Sequence, residues 1–535
     1  MYKTQQNDII KSERPRPVSN GMDYRKTPYF KVGRSSELAG SDRFLYKIFE
    51  IVPGFLSWGT IAFLLICSFY KPIIAAYFVI LFDLYWLLKT VYLSNHNLYN
   101  WRRIKNSLAL DWSEKVSHLK YEHIRHLVIF PFYEESFEVV SESVESIKRA
   151  NYDHKKILLV LASEERAGET AQKIGQDVIK KFENDFGGLL LTTHPKDLEG
   201  ELAGKGSNIS FAAEVARKDL LDKNNIPYEN VIVSAFDMDT VVYKDYFLCL
   251  VWYFLTTENP EKASFQPVPI YNNNIWQTDP ISRIAAFSNT FWQMIQQERP
   301  EKLVTFSSHA VSFKALLSVN YWQTNMVSED SRIFWNLFFA NNGNYRVVPM
   351  AYPVSMDANF GGSFFKTMKN IYKQHRRWMW GAENVPYILL GCVKNKNISL
   401  RKKISLTLVQ LEGYWSAATN PLIIFLLGWL PIVLGGKFFK ETVLSYNLPA
   451  MTRNLMIGAM LGLISLSIMS YSLLPKDIKG KKITKKQKFI AVFQWLIFPF
   501  TIIIFSSLPA LDAQTRLMFG KYMGFWVTPK YRKND

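Results

Sequence analysis

Residues 51–70 and 73–93 are two apolar runs, each close to the ~20 residues of helix that cross a bilayer, and only Lys71-Pro72 stands between them. A backbone in hydrocarbon must pair its N–H and C=O groups within the segment, so runs of this length have to be helical. The two-residue break makes them a tight helical hairpin. Two crossings return the chain to the side where it began, so the basic tail 1–50, a linker 94–122 and a soluble unit 123–365 are expected on one side of a membrane. Lys and Arg number 64 against 46 Asp and Glu, a formal charge of +18. They crowd beside apolar runs, at 394–403 and 476–488, in the positive-inside pattern of cytoplasmic loops. The chain is therefore expected to be an integral, multi-pass membrane protein with its soluble unit in the cytoplasm. The basic excess suits anionic lipid headgroups, and nucleic acid is not expected as a partner.

Within 123–365 short β-rich runs alternate with helical ones. Residues 126–130, 156–161 and 231–235 are near-continuously apolar, as strands of a parallel sheet buried on both faces are. Helical patterns at 138–149 and 208–217 separate them, so the class is α/β, with ligands expected at the carboxyl ends of the strands. Residues 366–390 read as an amphipathic helix at the membrane surface, within an interfacial segment 366–403. More spans follow in 404–511, roughly at 414–434, 455–474 and 489–508. Three spans would leave the tail 512–535 outside, whereas its charge places it inside. A shallow hairpin at 489–511, broken near Pro499, or an extra crossing in 404–421 would restore parity. Asp83, inside the second run, is costly in lipid and is expected to face protein or a water-filled path. Cys67, Cys249 and Cys392 have no paired spacing and read as free thiols rather than disulfides or metal ligands. His118, His123 and His126 read as surface or packing residues.

Chemistry-bearing residues recur in a fixed order. Asp237-Met238-Asp239 directly follows the apolar run 231–236, which puts both carboxylates at a strand's carboxyl end. A chain this long holds about one Asp-x-Asp by chance, so the placement is what matters. Hard oxygen ligands there suit Mg²⁺ or Mn²⁺ against a nucleotide diphosphate. Further on come Ser328-Glu329-Asp330 and Gln374-His375-Arg376-Arg377-Trp378. On a helix Gln374 shares a face with Arg377 or Trp378. Arg377 can then neutralise an anion, and Trp378 offers an apolar stacking face.

These three strings, behind a hydrophobic hairpin and before a cluster of spans, resemble the membrane-embedded family-2 glycosyltransferases, the group of cellulose, hyaluronan and chitin synthases. The resemblance implies a GT-A-type, Rossmann-like cytoplasmic glycosyltransferase domain inserted between transmembrane α-helices. Asp330 would be the general base of an inverting transfer, with Glu329 beside it. Pro131-Phe132-Tyr133-Glu134-Glu135 resembles the family loop that contacts the nucleoside, through Tyr133 and Glu135, with Glu134 in place of Asn. Ser163-Glu164-Glu165 stands where the family has Asp-Asp, so Glu164 would contact base and ribose. Gly204-Lys205-Gly206-Ser207-Asn208 resembles a shortened Gly-Lys loop that brings Lys205 to phosphate. Phe525-Trp526-Val527-Thr528-Pro529-Lys530 resembles the gating loop of cellulose synthases, with Thr528 reaching the diphosphate and Phe525 wedging the loop. The family's Gly-Thr-Gly is replaced by Phe306-Ser307-Ser308-His309. The implied partners are a nucleotide sugar, UDP-linked rather than GDP-linked, a growing glycan or a lipid acceptor, and membrane lipids, with room for a partner subunit in export. Processive β-glycan synthesis and secretion is the favoured function. Single-sugar transfer to a lipid, as in ceramide glucosyltransferases, carries similar motifs. A non-catalytic membrane scaffold with a decayed transferase domain is the reading of another class.

Overall fold

A computed structural model describes residues 23–475, 477–478 and 481–529. The first 22 residues of the basic tail and Lys530 lie outside the described residues. The apolar runs form two long helices, Gly40–Tyr70 and Pro72–Ala109. Pro72 supplies the first residue of the second helix, where its missing N–H costs nothing. Many of their large apolar side chains, among them Leu65, Ile66, Phe69, Ile73 and Leu81, are exposed, as lipid-facing positions would be. Asp83 is buried.

Three helices among the described residues are long and apolar enough to cross a membrane: Gly40–Tyr70, Pro72–Ala109 and the run Lys485–Met518. A fourth results if Leu400–Phe425 and Leu427–Leu434, which meet at a 50° bend, are taken as one broken span. The stretch 489–511, one of the two places offered for restoring parity, lies within one continuous helical run and is not a hairpin. Pro499 and Pro509 each open a new helical segment, Phe498–Ile502 and Leu508–Met518, where a missing N–H is tolerated. The stretch 404–421 lies within the single helix Leu400–Phe425.

Between the hairpin and these later helices lies an eight-stranded sheet of order β3-β2-β1-β4-β7-β6-β8-β5. Its strands are β1 Arg125–Pro131, β2 Ile157–Glu164, β3 Gly188–His194, β4 Val231–Ala235, β5 Val241–Val242, β6 Ala263–Tyr271, β7 Ala310–Ser312 and β8 Arg346–Met356. One half is parallel, β1 pairing with β2 and β4, and β2 with β3. The antiparallel β7 joins it to the second half, where β6 and β8 are again parallel. Alternate residues build two cores. Leu127, Ile129, Leu158, Val160 and Val233 pack under helix Lys205–Ala216. Val128, Phe130, Leu159 and Leu161 pack under Phe137–Lys148 and Gly168–Lys181. Burial on both faces is why these strands are apolar throughout.

His118 and His123 are exposed and His126 is fully buried on β1. Tyr152 and Phe247 lie 4.8 and 4.7 Å from the His126 ring, and neither ring nitrogen has a hydrogen-bond partner. Burial alone pushes its pKa down to about 3. The folded state therefore keeps His126 neutral while the unfolded chain takes up a proton near pH 6.5. Stability is full above that value and falls as the pH drops from 6.5 toward 3. At pH 5 the loss from this residue is about 2 kcal/mol. Thermal unfolding at pH 5 and 7.5 should show a smaller pH penalty for His126→Phe than for the parent protein.

Candidate functional site

Parallel β1, β2 and β4 end on one edge of the sheet, where ligands bind in open α/β folds. Asp237 leaves that edge after β4, and Lys205 begins helix Lys205–Ala216. The Lys205 ammonium donates to Asp237 Oδ1 at 2.6 Å and to both Asp330 oxygens at 3.0 Å. Residues far apart in sequence thus meet on one cation. Burial works against its charge, but Asp237, Asp330 and Glu329 hold the lysine pKa well above its ordinary value. Ser307 Oγ donates to Asp237 Oδ2 at 2.8 Å. Asp239 turns inward: it is fully buried, and its Oδ2 accepts the Asp357 backbone N–H at 2.9 Å.

Asp330 lies in the first turn of helix Glu329–Ala340. Thr305 Oγ1 donates to its backbone carbonyl at 2.6 Å. His309 stands 3.8 Å from Asp330 Oδ1. Trp322 Nε1 donates to His309 Nε2 at 3.2 Å, which leaves the ring proton on Nδ1, directed at the Phe306 carbonyl at 2.8 Å. Burial pushes the His309 pKa down, so the ring is a neutral strut. Glu329 is buried, and burial together with the neighbouring Asp330 pushes its carboxyl pKa up.

Glu383 orders this turn from outside. Its Oε1 accepts from Val327 N at 3.1 Å, Ser328 N at 2.9 Å and Ser328 Oγ at 2.7 Å. Its Oε2 accepts from Trp380 Nε1 at 2.8 Å. Fully buried Arg332 adds a second tie, donating to Asn384 Oδ1 at 2.7 Å and to the Glu383 carbonyl at 3.1 Å.

At the ends of β1 and β2 the Arg166 guanidinium lies 4.7 Å from the Tyr133 ring centroid and is paired with Glu164. Glu135 accepts the Tyr133 N–H at 2.7 Å, which closes the turn of its own loop. A planar cation over an aromatic ring, next to a carboxylate, offers both a stacking face and an acceptor to a nucleoside.

Gln374, Arg377 and Trp378 lie on helix Phe364–Met379. Gln374 Oε1 accepts from Asn359 at 3.2 Å. Trp378 stacks on His375 at 5.0 Å, and the His375 ring is tied to the Phe505 carbonyl. Arg376 pairs with Asp512 at 2.8 Å, so the helix is fastened to the last apolar run. The segment after that run folds back: Phe525 sits 4.8 Å from Arg377, and Trp526 5.2 Å from Lys373. Thr528 is buried. A Cβ on Gly204 would stand 2.6 Å from Phe525 Cγ, so only glycine admits this contact. Gly204→Ala is expected to push Phe525 off the loop and raise the donor KM severalfold. Adding Phe525→Ala to it should cost little more, as a shared contact requires.

A divalent cation would meet hard oxygen donors here. Asp237 is the carboxylate placed to hold it, with Oδ1 now on the Lys205 ammonium and Oδ2 on the Ser307 hydroxyl. No group of three or more His, Cys, Asp or Glu side chains that could hold a metal exists among the described residues. Such an ion would therefore complete its shell with oxygens from its ligand or from water.

The structure gathers Asp237, Lys205, Glu329 and Asp330 in one cluster. Gln374, Arg377, Trp378, Phe525 and Thr528 lie on the helix and loop beside it, and Tyr133, Glu135 and Glu164 at the ends of β1 and β2. Arg166, Ser307, His309 and Glu383 escaped the sequence reading. Arg166 was legible as the cation two residues beyond Glu164. Ser307 and His309 stood in the segment that departs from the family pattern. Nothing local marks Glu383, whose partners lie on another element.

Carboxylates, a cation and an aromatic ring gathered at the carboxyl ends of parallel strands fit a group-transfer site. The chain belongs to glycosyl transferase family group 2, which it matches over residues 232–508, just over half its length. The protein is thus a glycosyltransferase, and the scaffold reading gives way. No curated protein matches it. Among solved structures it is similar to the mannosyltransferase PcManGT from Pyrobaculum calidifontis, in complex with GDP-Man and Mn²⁺. That likeness is 13% identity over 72% of this chain and 99% of the other, with a TM-score of 0.41. It is also similar to S. aureus TarS 1-349 in complex with UDP-GlcNAc, at 12% identity over 65% of this chain and 91% of that one, with a TM-score of 0.33.

Proposed function

We propose that the protein transfers a sugar from a nucleotide sugar, with inversion, at the cytoplasmic face of a membrane, and extends a β-glycan processively that it also secretes. The observation that carries this reading is the meeting of Asp237 and Asp330 on Lys205, at 2.6–3.0 Å. It joins a diphosphate-binding carboxylate to the base. The acceptor hydroxyl attacks the anomeric carbon opposite the leaving group. Its proton passes to Asp330, the new carbon–oxygen bond forms, and the electron pair of the broken bond leaves with the nucleoside diphosphate. Mg²⁺ or Mn²⁺, held through Asp237 with Asp239 behind it, would offset charge on the diphosphate. Arg377 adds a guanidinium for the same oxygens, and Trp378 offers the acceptor a stacking face. Tyr133, Arg166 and Glu164 hold the nucleoside, with UDP-sugars favoured over GDP-sugars. Phe525 and Thr528 close over it.

A second reading, transfer of one sugar to a lipid, is favoured by an open apolar groove among the long helices. Phe55, Phe63, Phe78 and Trp415 line it, a surface suited to an acyl chain. The test is a panel of radiolabelled UDP- and GDP-sugars with Mg²⁺ or Mn²⁺, given to protein in lipid or detergent. A long metal-dependent polymer supports synthesis. Label confined to a small lipid-extractable product supports the second reading. No transfer from any donor overturns both.

A further inference from the structure

The three N–H bonds of an ammonium are its whole donor capacity. Lys205 directs them at one oxygen of Asp237 and both oxygens of Asp330. The lysine has little freedom to leave by moving its backbone. A Cβ on Gly206 would stand 2.7 Å from the Gln323 carbonyl and 3.0 Å from Glu329 Cβ, so the first helical turn is wedged against the Ser328–Asp330 turn. Gly204, the residue before Lys205, is pressed by Phe525. Only the side chain can swing. Its present position matters to both carboxylates. A divalent ion on Asp237 Oδ1 would share that oxygen with an ammonium nitrogen 2.6 Å from it, and two cations on one carboxylate oxygen repel each other. Asp330, in turn, has both of its oxygens engaged by the same ammonium.

We propose that Lys205 is a tethered cation that competes with the divalent metal for Asp237 and occupies Asp330 while it does so. A nucleotide diphosphate arriving with its metal draws the ammonium onto phosphate oxygens, and both Asp330 oxygens are then open to the acceptor's hydroxyl. Metal and nucleotide therefore bind cooperatively, and the base is released only when both are in place. This rests on the proposed metal-dependent transfer, and assigns Lys205 a role in the order of events beyond a phosphate contact.

The test is Mn²⁺ binding to the full-length protein in detergent, followed by the loss of the free-ion EPR signal, with and without UDP. Without nucleotide, Lys205→Met should bind Mn²⁺ at least tenfold more tightly than the parent protein. The gain should vanish in Lys205→Met/Asp237→Asn. In the parent protein UDP should tighten Mn²⁺ binding by a larger factor than it does in Lys205→Met. Equal Mn²⁺ affinities, or a gain that survives Asp237→Asn, would overturn the competition while leaving metal-dependent transfer intact. No Mn²⁺ binding to either protein, with UDP present, would overturn both. Should Lys205→Met fail to fold, Lys205→Gln and the UDP effect on the parent protein carry the same comparison.

Discussion

Asp330→Asn is expected to lower turnover by about 10²–10⁴-fold, the range that a positioned general base supplies, and to leave nucleotide binding largely intact. The amide keeps the shape of the carboxylate and can still accept from Lys205, so the turn held by Glu383 and Thr305 has no reason to move. What it loses is the capacity to take a proton. The measurement is transfer rate beside UDP affinity and thermal midpoint in the same preparations. Full activity in the variant would remove Asp330 from the mechanism. A collapse of binding or stability would show instead that its pairing with Lys205 is structural. Asp237→Asn should behave differently, weakening donor and metal binding first, because Asp237 meets the ammonium and Ser307 from the other side of the site.

Glu383→Ala is expected to have the largest effect on stability. One buried carboxylate accepts two backbone N–H groups, a hydroxyl and an indole N–H. Alanine would leave those donors facing protein with no acceptor. Each buried donor left unpaired costs on the order of 1–3 kcal/mol, so a loss of about 3 kcal/mol or more is expected even after partial relaxation. Glu383→Gln keeps one acceptor oxygen and should lose less. Both variants should also be slow enzymes, because the turn that loosens carries Asp330. Thermal unfolding and transfer assays together check this. An alanine variant as stable as the parent would mean that water takes the place of the carboxylate. The proposed role of Glu383 as a positioning residue would then fail.

Much of this protein was legible in its residues one segment at a time. The apolar runs around Lys71-Pro72 had to be helices, because lipid offers no partner to a peptide group. The buried strands at 126–130, 156–161 and 231–235 announced themselves by unbroken apolar character, and Asp237 was placed by the strand before it. Local patterns of this kind are set by burial and period, which a short window contains. The partners of each charged group are not. That Lys205 would bridge Asp237 and Asp330, that Asp239 would turn toward Asp357, and that Arg166 would pair with Glu164 over Tyr133 are outcomes of how the sheet and its helices close. The short strands β5 and β7 likewise exist only because longer neighbours offer them an edge. The run Lys485–Met518 shows the limit from the other side. Span parity offered a hairpin broken near Pro499 as one of two repairs, but 3₁₀ and π segments keep the helix continuous there. The sequence by itself determined the long apolar helical hairpin and the α/β class, because each follows from local burial and side-chain type. Tertiary structure alone decided which charges face one another, because ion pairing depends on distances between segments that no window of sequence spans.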